Sequence, residues 1–111
     1  MGTNYYAVRS RPTVETPIHI GKSSVGCRFL FQGYKGGWLR RTMWQTYEDV
    51  TSWLKEHTES GEYVILDEYD RQISYDDFVK LVEEKQKEKR SPAEWGVFHS
   101  GEYEFEENEF S

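Results

Sequence analysis

Two short strings, Thr46-Tyr47-Glu48-Asp49 and Ser74-Tyr75-Asp76-Asp77, constrain this chain more than any other feature. Each places a hydroxyl residue three positions before an acid. There the hydroxyl can accept the orphan amide of a helix's first turn while the acid reaches back to the cap. Behind the first, Val50, Trp53, Leu54 and His57 recur at i, i+3, i+4 and i+7, with Gly61 as the stop. Behind the second, Phe78, Leu81 and Val82 form a buried stripe, EEKQKEKR is a solvated mixed-charge run, and Ser91-Pro92 breaks the pattern. The spacing predicts helices over 47–59 and 75–89. Between them EYVILDEY (62–69) reads as a strand with an apolar centre, and Tyr69-Asp70-Arg71-Gln72 turns the chain. Two amphipathic stripes around one strand require a sheet to cover them.

The rest of the chain supplies strand patterns. TNYYAVR (3–9) carries β-formers, and Pro12 and Pro17 bracket a loop. PIHIG (17–21) and CRFLFQG (27–33) alternate, with Cys27, Phe29 and Phe31 on one face, and KSSVG reads as the tip of a long hairpin between them. GYKGG (33–37) reads as a loop. Strands near WGVFH (95–99) and EYEFE (102–106) flank a turn at Ser100-Gly101, with Glu102, Glu104 and Glu106 sharing a solvated face. The expected fold is α+β, an antiparallel sheet of about five strands with two helices packed on one face, in a single domain over 1–111. Trp53, Leu54, Val64, Leu66, Phe78 and Leu81 are the expected buried set. Its 8 Tyr, 6 Phe and 4 Trp make such a core feasible at 111 residues, because each ring buries roughly 150–250 Å². That load argues against disorder throughout.

No apolar run approaches the roughly 20 residues of a membrane span. MGTNYYAVRSR lacks a signal peptide's apolar stretch, and Tyr6 stands where a myristoylation pattern needs Ser or Thr. One cysteine, Cys27, can form neither an internal disulfide nor a zinc knuckle, so a reducing cytoplasm is the expected setting. The net charge of −6 is unevenly spread: residues 1–47 hold seven Lys/Arg and a single acid, Glu15, a net +6, and residues 48–111 hold seven bases and 19 acids, a net −12.

MGTNYY at the N-terminus, HIGKSS (19–24) ahead of an aromatic strand, DEYDRQIS (67–74) leading into YDDFVKLV, and the closing EYEFEENEFS together resemble a family of small uncharacterised proteins of bacteriophages and some bacteria. The likeness spans nearly the whole chain and implies a phage accessory protein in a bacterial host's cytoplasm, with no particular mechanism. Relatives place Cys-x-x-Cys pairs before HIGKSS. Here that stretch is VRSRPTVETP, without cysteine, so the zinc site the resemblance would imply is missing.

Gly21-Lys22-Ser23-Ser24 echoes the end of a phosphate loop, in which backbone amides, a lysine and hydroxyls surround phosphate oxygens. The full pattern fails, since Thr16 occupies the first glycine's place and a strand follows, which argues against an NTPase. A turn holding a phosphate without hydrolysing it remains, against the plainer reading of serines capping their own hairpin. Tyr34 and Trp38 flank Gly36-Gly37, with Lys35, Arg40 and Arg41 close by, a ring-and-cation set suited to a nucleotide. The candidate ligand-binding residues are thus His19, Gly21, Lys22, Ser23, Ser24, Tyr34, Lys35, Trp38, Arg40 and Arg41.

His19, His57 and His99 match no two-histidine, triad or metal spacing, and His57 reads as a packed helix residue. No catalytic residue, cofactor or metal ligand is assigned. Asp67-Glu68-Tyr69-Asp70 and the 102–106 ladder read as solvated acids rather than a cation site. Two functions follow. The first is a non-catalytic counter-defence protein that sequesters a small phosphorylated, nucleotide-like signal. The second is an acidic inhibitor that docks on a host defence effector, of CRISPR or restriction type, by mimicking nucleic-acid charge. The overall charge argues against direct nucleic-acid binding, and an exposed sheet edge would permit self-association.

Overall fold

The computed structural model describes residues 2–11, 17–24, 28–37, 40–87, 97–101 and 103–106. In chain order these form β1 (Gly2–Arg9), β2 (Ile18–Ser24), β3 (Leu30–Gln32), β4 (Tyr34–Gly37), β5 (Arg40–Trp44), α1 (Tyr47–Glu59), β6 (Tyr63–Asp67), β7 (Gln72–Ile73), α2 (Tyr75–Lys85), β8 (Val97–Ser100) and β9 (Tyr103–Glu106). Seven strands make one sheet in the order β7-β6-β1-β2-β3-β9-β8, and β4 and β5 pair as a separate ribbon.

The fold is α+β with two helices, as expected, but the sheet is mixed and wider than an antiparallel sheet of about five strands. β3 and β9 run parallel, in register Phe31↔Phe105, while the other ladders are antiparallel. Antiparallel neighbours need only a turn, whereas a parallel pair needs a long crossover. Everything from β4 to β8 is that crossover, so no local pattern announces the pairing.

Both helices start where their caps stand. Thr46 is extended (φ −133°, ψ 158°), its hydroxyl accepts the Asp49 amide at 3.0 Å, and the Asp49 carboxylate accepts the Thr46 amide at 3.2 Å. Gly61, at φ +82°, ends α1 in the left-handed region where a side chain would be strained. Ser74 accepts the Asp77 amide at 3.1 Å and opens α2, which ends at Lys85, short of the expected 89.

Strand alternation assigns the faces. Tyr5, Ala7 and Arg9 of β1 stand opposite Asp67, Ile65 and Tyr63 of β6, so these residues share one side. Tyr5 packs edge-on against Phe78 of α2, and Tyr63 packs against Trp53 of α1, so both helices cover that side. A single apolar cluster fills the space between: Phe29, Phe31 and Phe105 from the sheet meet Leu54, Phe78 and Val82 from the helices, all at 1% exposure or less. Each buried phenylalanine contributes about 1.5–3 kcal/mol relative to exposure. Leu54 and Phe78 are buried as expected, and Trp53 and Leu81 pack at the cluster's margin. Val64 and Leu66 are corrections: both alternate away from the helices and are only half-buried on the opposite side.

Candidate functional site

The HIGKSS segment is strand throughout: His19–Gly21 as expected, and Lys22–Ser24 where the start of a hairpin tip was expected. It is β2, paired with β1 from Ile18 to Ser24 (Asn4↔Lys22, Thr3↔Ser23, Gly2↔Ser24) and with β3 at Gly21 and Lys22. Its backbone serves these ladders, and its side chains alternate instead of converging on one anion. Lys22 and Ser24 lie on the side opposite the helices, where a Cβ on Gly2 would come within 2.6 Å of Lys22 Cε and of Ser24 Oγ. Gly21 faces the core, and its glycine has a packing reason: a Cβ there would collide with the Leu30 carbonyl and lie 2.5 Å from the Phe29 ring. Strand pairing has overridden local turn chemistry.

The aromatic–basic segment expected as a loop is the β4–β5 ribbon, in register Tyr34↔Trp44 and Lys35↔Met43. Tyr34 donates its hydroxyl hydrogen to the His19 carbonyl at 3.0 Å, which brings these two candidate residues together. Its ring packs edge-on against Trp44, which packs against Trp53. Trp44 is fully buried. Trp38 and the side chains of Lys35, Arg40 and Arg41 lie outside the described residues, as does Cys27. Among the other bases, Arg9 is engaged by Glu62 at 3.4 Å and stands 5.1 Å over the Tyr63 ring, an ion pair linking the basic and acidic halves.

The histidines do not converge. His57 stacks on Trp53 at 4.0 Å on the helix side and donates from Nδ1 to the Trp53 carbonyl at 2.8 Å, the packed role its stripe position suggested. His19 lies on the other side, buried, with Nε2 donating to Asn4 Oδ1 at 2.9 Å and its ring 5.2 Å from that of Tyr6. His99 stands opposite Glu104 in the β8–β9 ladder.

The expectation of a solvated glutamate ladder on β9 fails at Glu104, which is 1% exposed. Glu104 stands beside Leu30 of β3 in the parallel pair, inside the sheet rather than on an edge. Tyr103, on the same strand, stacks face to face on Tyr47 at 3.6 Å, and both hydroxyls donate to Glu83, at 2.8 and 3.2 Å. Burial first, then Tyr103 and Glu83, push the Tyr47 hydroxyl well above the usual tyrosine range.

A cleft of about 220 Å³ opens on the sheet side away from the helices. Val8 and Leu66 line its floor, Tyr6 and Pro17 its walls, and Asp67, Glu68 and Asp70 of the β6–β7 turn its rim. The turn is tightly specified. One Asp67 oxygen accepts the amides of Tyr69 (2.8 Å) and Arg71 (2.9 Å), and the other accepts Arg71 Nε at 2.9 Å. Burial pushes the Asp67 pKa up, but the bonds from Arg71 and Tyr69 and the Arg71 charge outweigh it, leaving it below the ordinary value. Asp70 adopts φ +63°, a conformation aspartate and asparagine tolerate better than most residues. Tyr69, 63% exposed, stands out from the turn with the Arg71 guanidinium 5.3 Å over its ring. Where β6 ends, Glu68 Oε1 takes over from the strand and accepts the Asn4 amide at 2.8 Å.

Sequence reasoning passes over this cleft. Its signal is present in TNYYAVR, whose alternate residues Tyr6 and Val8 face away from the helices, and in an acid-rich turn whose composition alone suggests nothing beyond solvation. Among the described residues no group of three His, Cys, Asp or Glu is arranged to hold a metal ion, and no helix is long and apolar enough to cross a membrane. Compared with known proteins, the chain matches no family model, no curated sequence and no solved structure.

Proposed function

We propose that the protein is a non-catalytic docking protein whose acidic surface occupies the basic groove of a nucleic-acid-handling protein, a use open to the phage accessory protein that the resemblance implies. The observation that carries this reading is the surface over 48–87. Ten of its 12 carboxylate residues are exposed, against five Lys/Arg in the same stretch. α1 and α2 hold seven of these acids, Glu48, Glu56 and Glu59 on one helix and Asp76, Asp77, Glu83 and Glu84 on the other. A fixed array of carboxylates over a folded core competes with phosphates for lysines and arginines, and its grip weakens as salt screens it.

The test is displacement. A panel of CRISPR and restriction effectors, each holding a fluorescein-labelled duplex, is titrated with the protein while anisotropy is followed. Release of the duplex by at least one effector, lost in a Glu56→Gln/Glu59→Gln/Glu84→Gln variant and in high salt, is the expected result. No release across the panel, or release that the variant retains in full, would overturn the reading.

A second reading, sequestration of a small phosphorylated nucleotide-like molecule, is favoured by one observation. Lys22 and Ser24 share a sheet side, and Lys22 packs across the bare Cα of Gly2. A thermal-shift screen with cyclic dinucleotides, ADP-ribose derivatives and mononucleotides tests it. A ligand at 100-fold its Kd should stabilise by about 2.7 kcal/mol, and Lys22→Ala should abolish the shift.

A further inference from the structure

We propose that the cleft between β1, β6 and the β6–β7 turn receives an arginine side chain of the partner protein; the partner rests on the docking reading above, while the site rests on its own geometry. Elsewhere, toward the helix side of the sheet, the chain already shows how it holds guanidinium groups. At one end of β6, Arg9 meets the Glu62 carboxylate and lies over the Tyr63 ring. At the other, Arg71 meets the Asp67 carboxylate and lies over the Tyr69 ring. Both sites combine one carboxylate with one tyrosine face, which suits a planar, weakly hydrated cation.

The cleft repeats that combination without an arginine from the chain. Tyr6 supplies the ring, backed on one side by His19, which the bond to Asn4 holds in place. Glu68 and Asp70 supply carboxylates that have no cationic partner among the described residues, whereas Asp67 is already matched by Arg71. Val8 and Leu66 offer an apolar floor for an arginine's methylene stem. The charge is wrong for a phosphate and right for a cation with an apolar body. The rim needs no reorganisation to receive it, because the Asp67 bonds hold the turn.

The test uses protein labelled at its methyl groups and titrated by NMR with N-acetyl-arginine amide, N-acetyl-lysine amide and the neutral isostere N-acetyl-citrulline amide. Arginine amide should shift the Val8 and Leu66 methyls saturably, lysine amide should bind more weakly, and citrulline amide should leave them unmoved. The Glu68→Gln/Asp70→Asn variant should raise the arginine-amide Kd about tenfold. The introduced glutamine keeps an oxygen for the Asn4 amide and the introduced asparagine tolerates a positive φ, so the variant should melt where the wild type does. Equal shifts with citrulline or lysine amide, or an unchanged Kd in the variant, would overturn the site.

The same variant then enters the displacement assay, where a reduced potency supports the partner's arginine as the occupant. Full potency with arginine-amide binding lost would overturn that occupant and leave the docking reading intact. Arginine-amide binding by a wild type that displaces no duplex would overturn the docking reading and leave the cleft as a guanidinium site.

Discussion

The two sides of the central sheet are built from the same strands, in an alternation that one irregularity between β1 and β2 interrupts at Tyr5/Tyr6, yet they are stabilised in different ways. The side under the helices is a continuous apolar layer in which Phe29 meets Phe31 at 4.7 Å and Phe31 stacks on Phe105 at 5.1 Å. The other side buries Asn4, His19, Gln32 and Glu104, at 1–9% exposure, on strands whose outward residues a simple pattern would leave in water. Burial on the first side is favourable for almost any residue of suitable size. On the second it is tolerable only where each polar atom finds a partner, so identity and geometry matter more than volume. The first side makes the fold, and the second carries the cleft.

The largest effect should come from opening the apolar side. Phe31→Ala removes a ring in contact with Phe29, Tyr47, Tyr103 and Phe105. It should cost about 3–5 kcal/mol in chemical denaturation, near the whole stability of a small domain. A loss below about 1 kcal/mol, the range of ordinary surface changes, would mean this layer is not the main source of stability.

Gly21→Ala comes next and separates two accounts of one glycine. As part of a phosphate-holding turn, Gly21 would accept a methyl group with little effect on melting. As the point where β3 and Phe29 close on β2, it has no room for one. The expected cost is about 1–3 kcal/mol, toward the upper end because one obstacle is a backbone carbonyl that cannot swing aside.

That glycine marks the limit of what could be read from the chain. Both helix starts were legible because Thr46 and Ser74 act through local backbone bonds within three residues. Phe29 and Phe31 were legible by alternation as sharing one face, though not as core. The strand through His19-Ile20-Gly21 was legible too, but Lys22-Ser23-Ser24 was not, because its strand state depends on β1, whose partner residues precede it by about 18–22 positions. The β3–β9 pairing was further out of reach, with both helices inserted between the strands. Glu104 illustrates the cost: in an isolated hairpin it would face solvent, and only the parallel neighbour places it inside. Of the candidate site residues, His19 and Tyr34 meet, Lys22 and Ser24 share a side, and Gly21 serves packing. The cleft went unread because its parts, Tyr6 and Glu68–Asp70, are far apart in the chain and individually ordinary.

Asn4→Ala tests whether the polar side depends on partners. It removes the oxygen that His19 Nε2 reaches at 2.9 Å and leaves a buried donor without it. The expected cost is about 1–2 kcal/mol, the lower part of the range for stranding a buried polar group. Asn4→Asp, which keeps an acceptor, should recover most of it. Equal melting of all three proteins would show that this side, like a surface, is indifferent to its bonds.

The smallest effect is a pH dependence at the turn where the two sides end. Asp67 titrates below its ordinary value of 3.8 in the folded chain: burial opposes this, but the bonds from the Arg71 and Tyr69 amides and the Arg71 guanidinium prevail. Below that ordinary value the unfolded chain takes up the proton while the folded chain resists it. The stabilisation from Asp67 is therefore complete above about pH 5 and fades as the pH falls through the folded pKa. Asp67→Asn keeps an oxygen for the two amides but has no charge for Arg71 and no proton to gain. Melting temperatures of the two proteins, followed from pH 6 down to about pH 2, should lie furthest apart at the top of that range and approach each other at the bottom. Comparing the pair removes the contribution of every other carboxylate. Parallel curves would mean that the turn is held by its backbone bonds alone, and that the Asp67–Arg71 pair, exposed on its arginine side, adds nothing to the rim of the cleft.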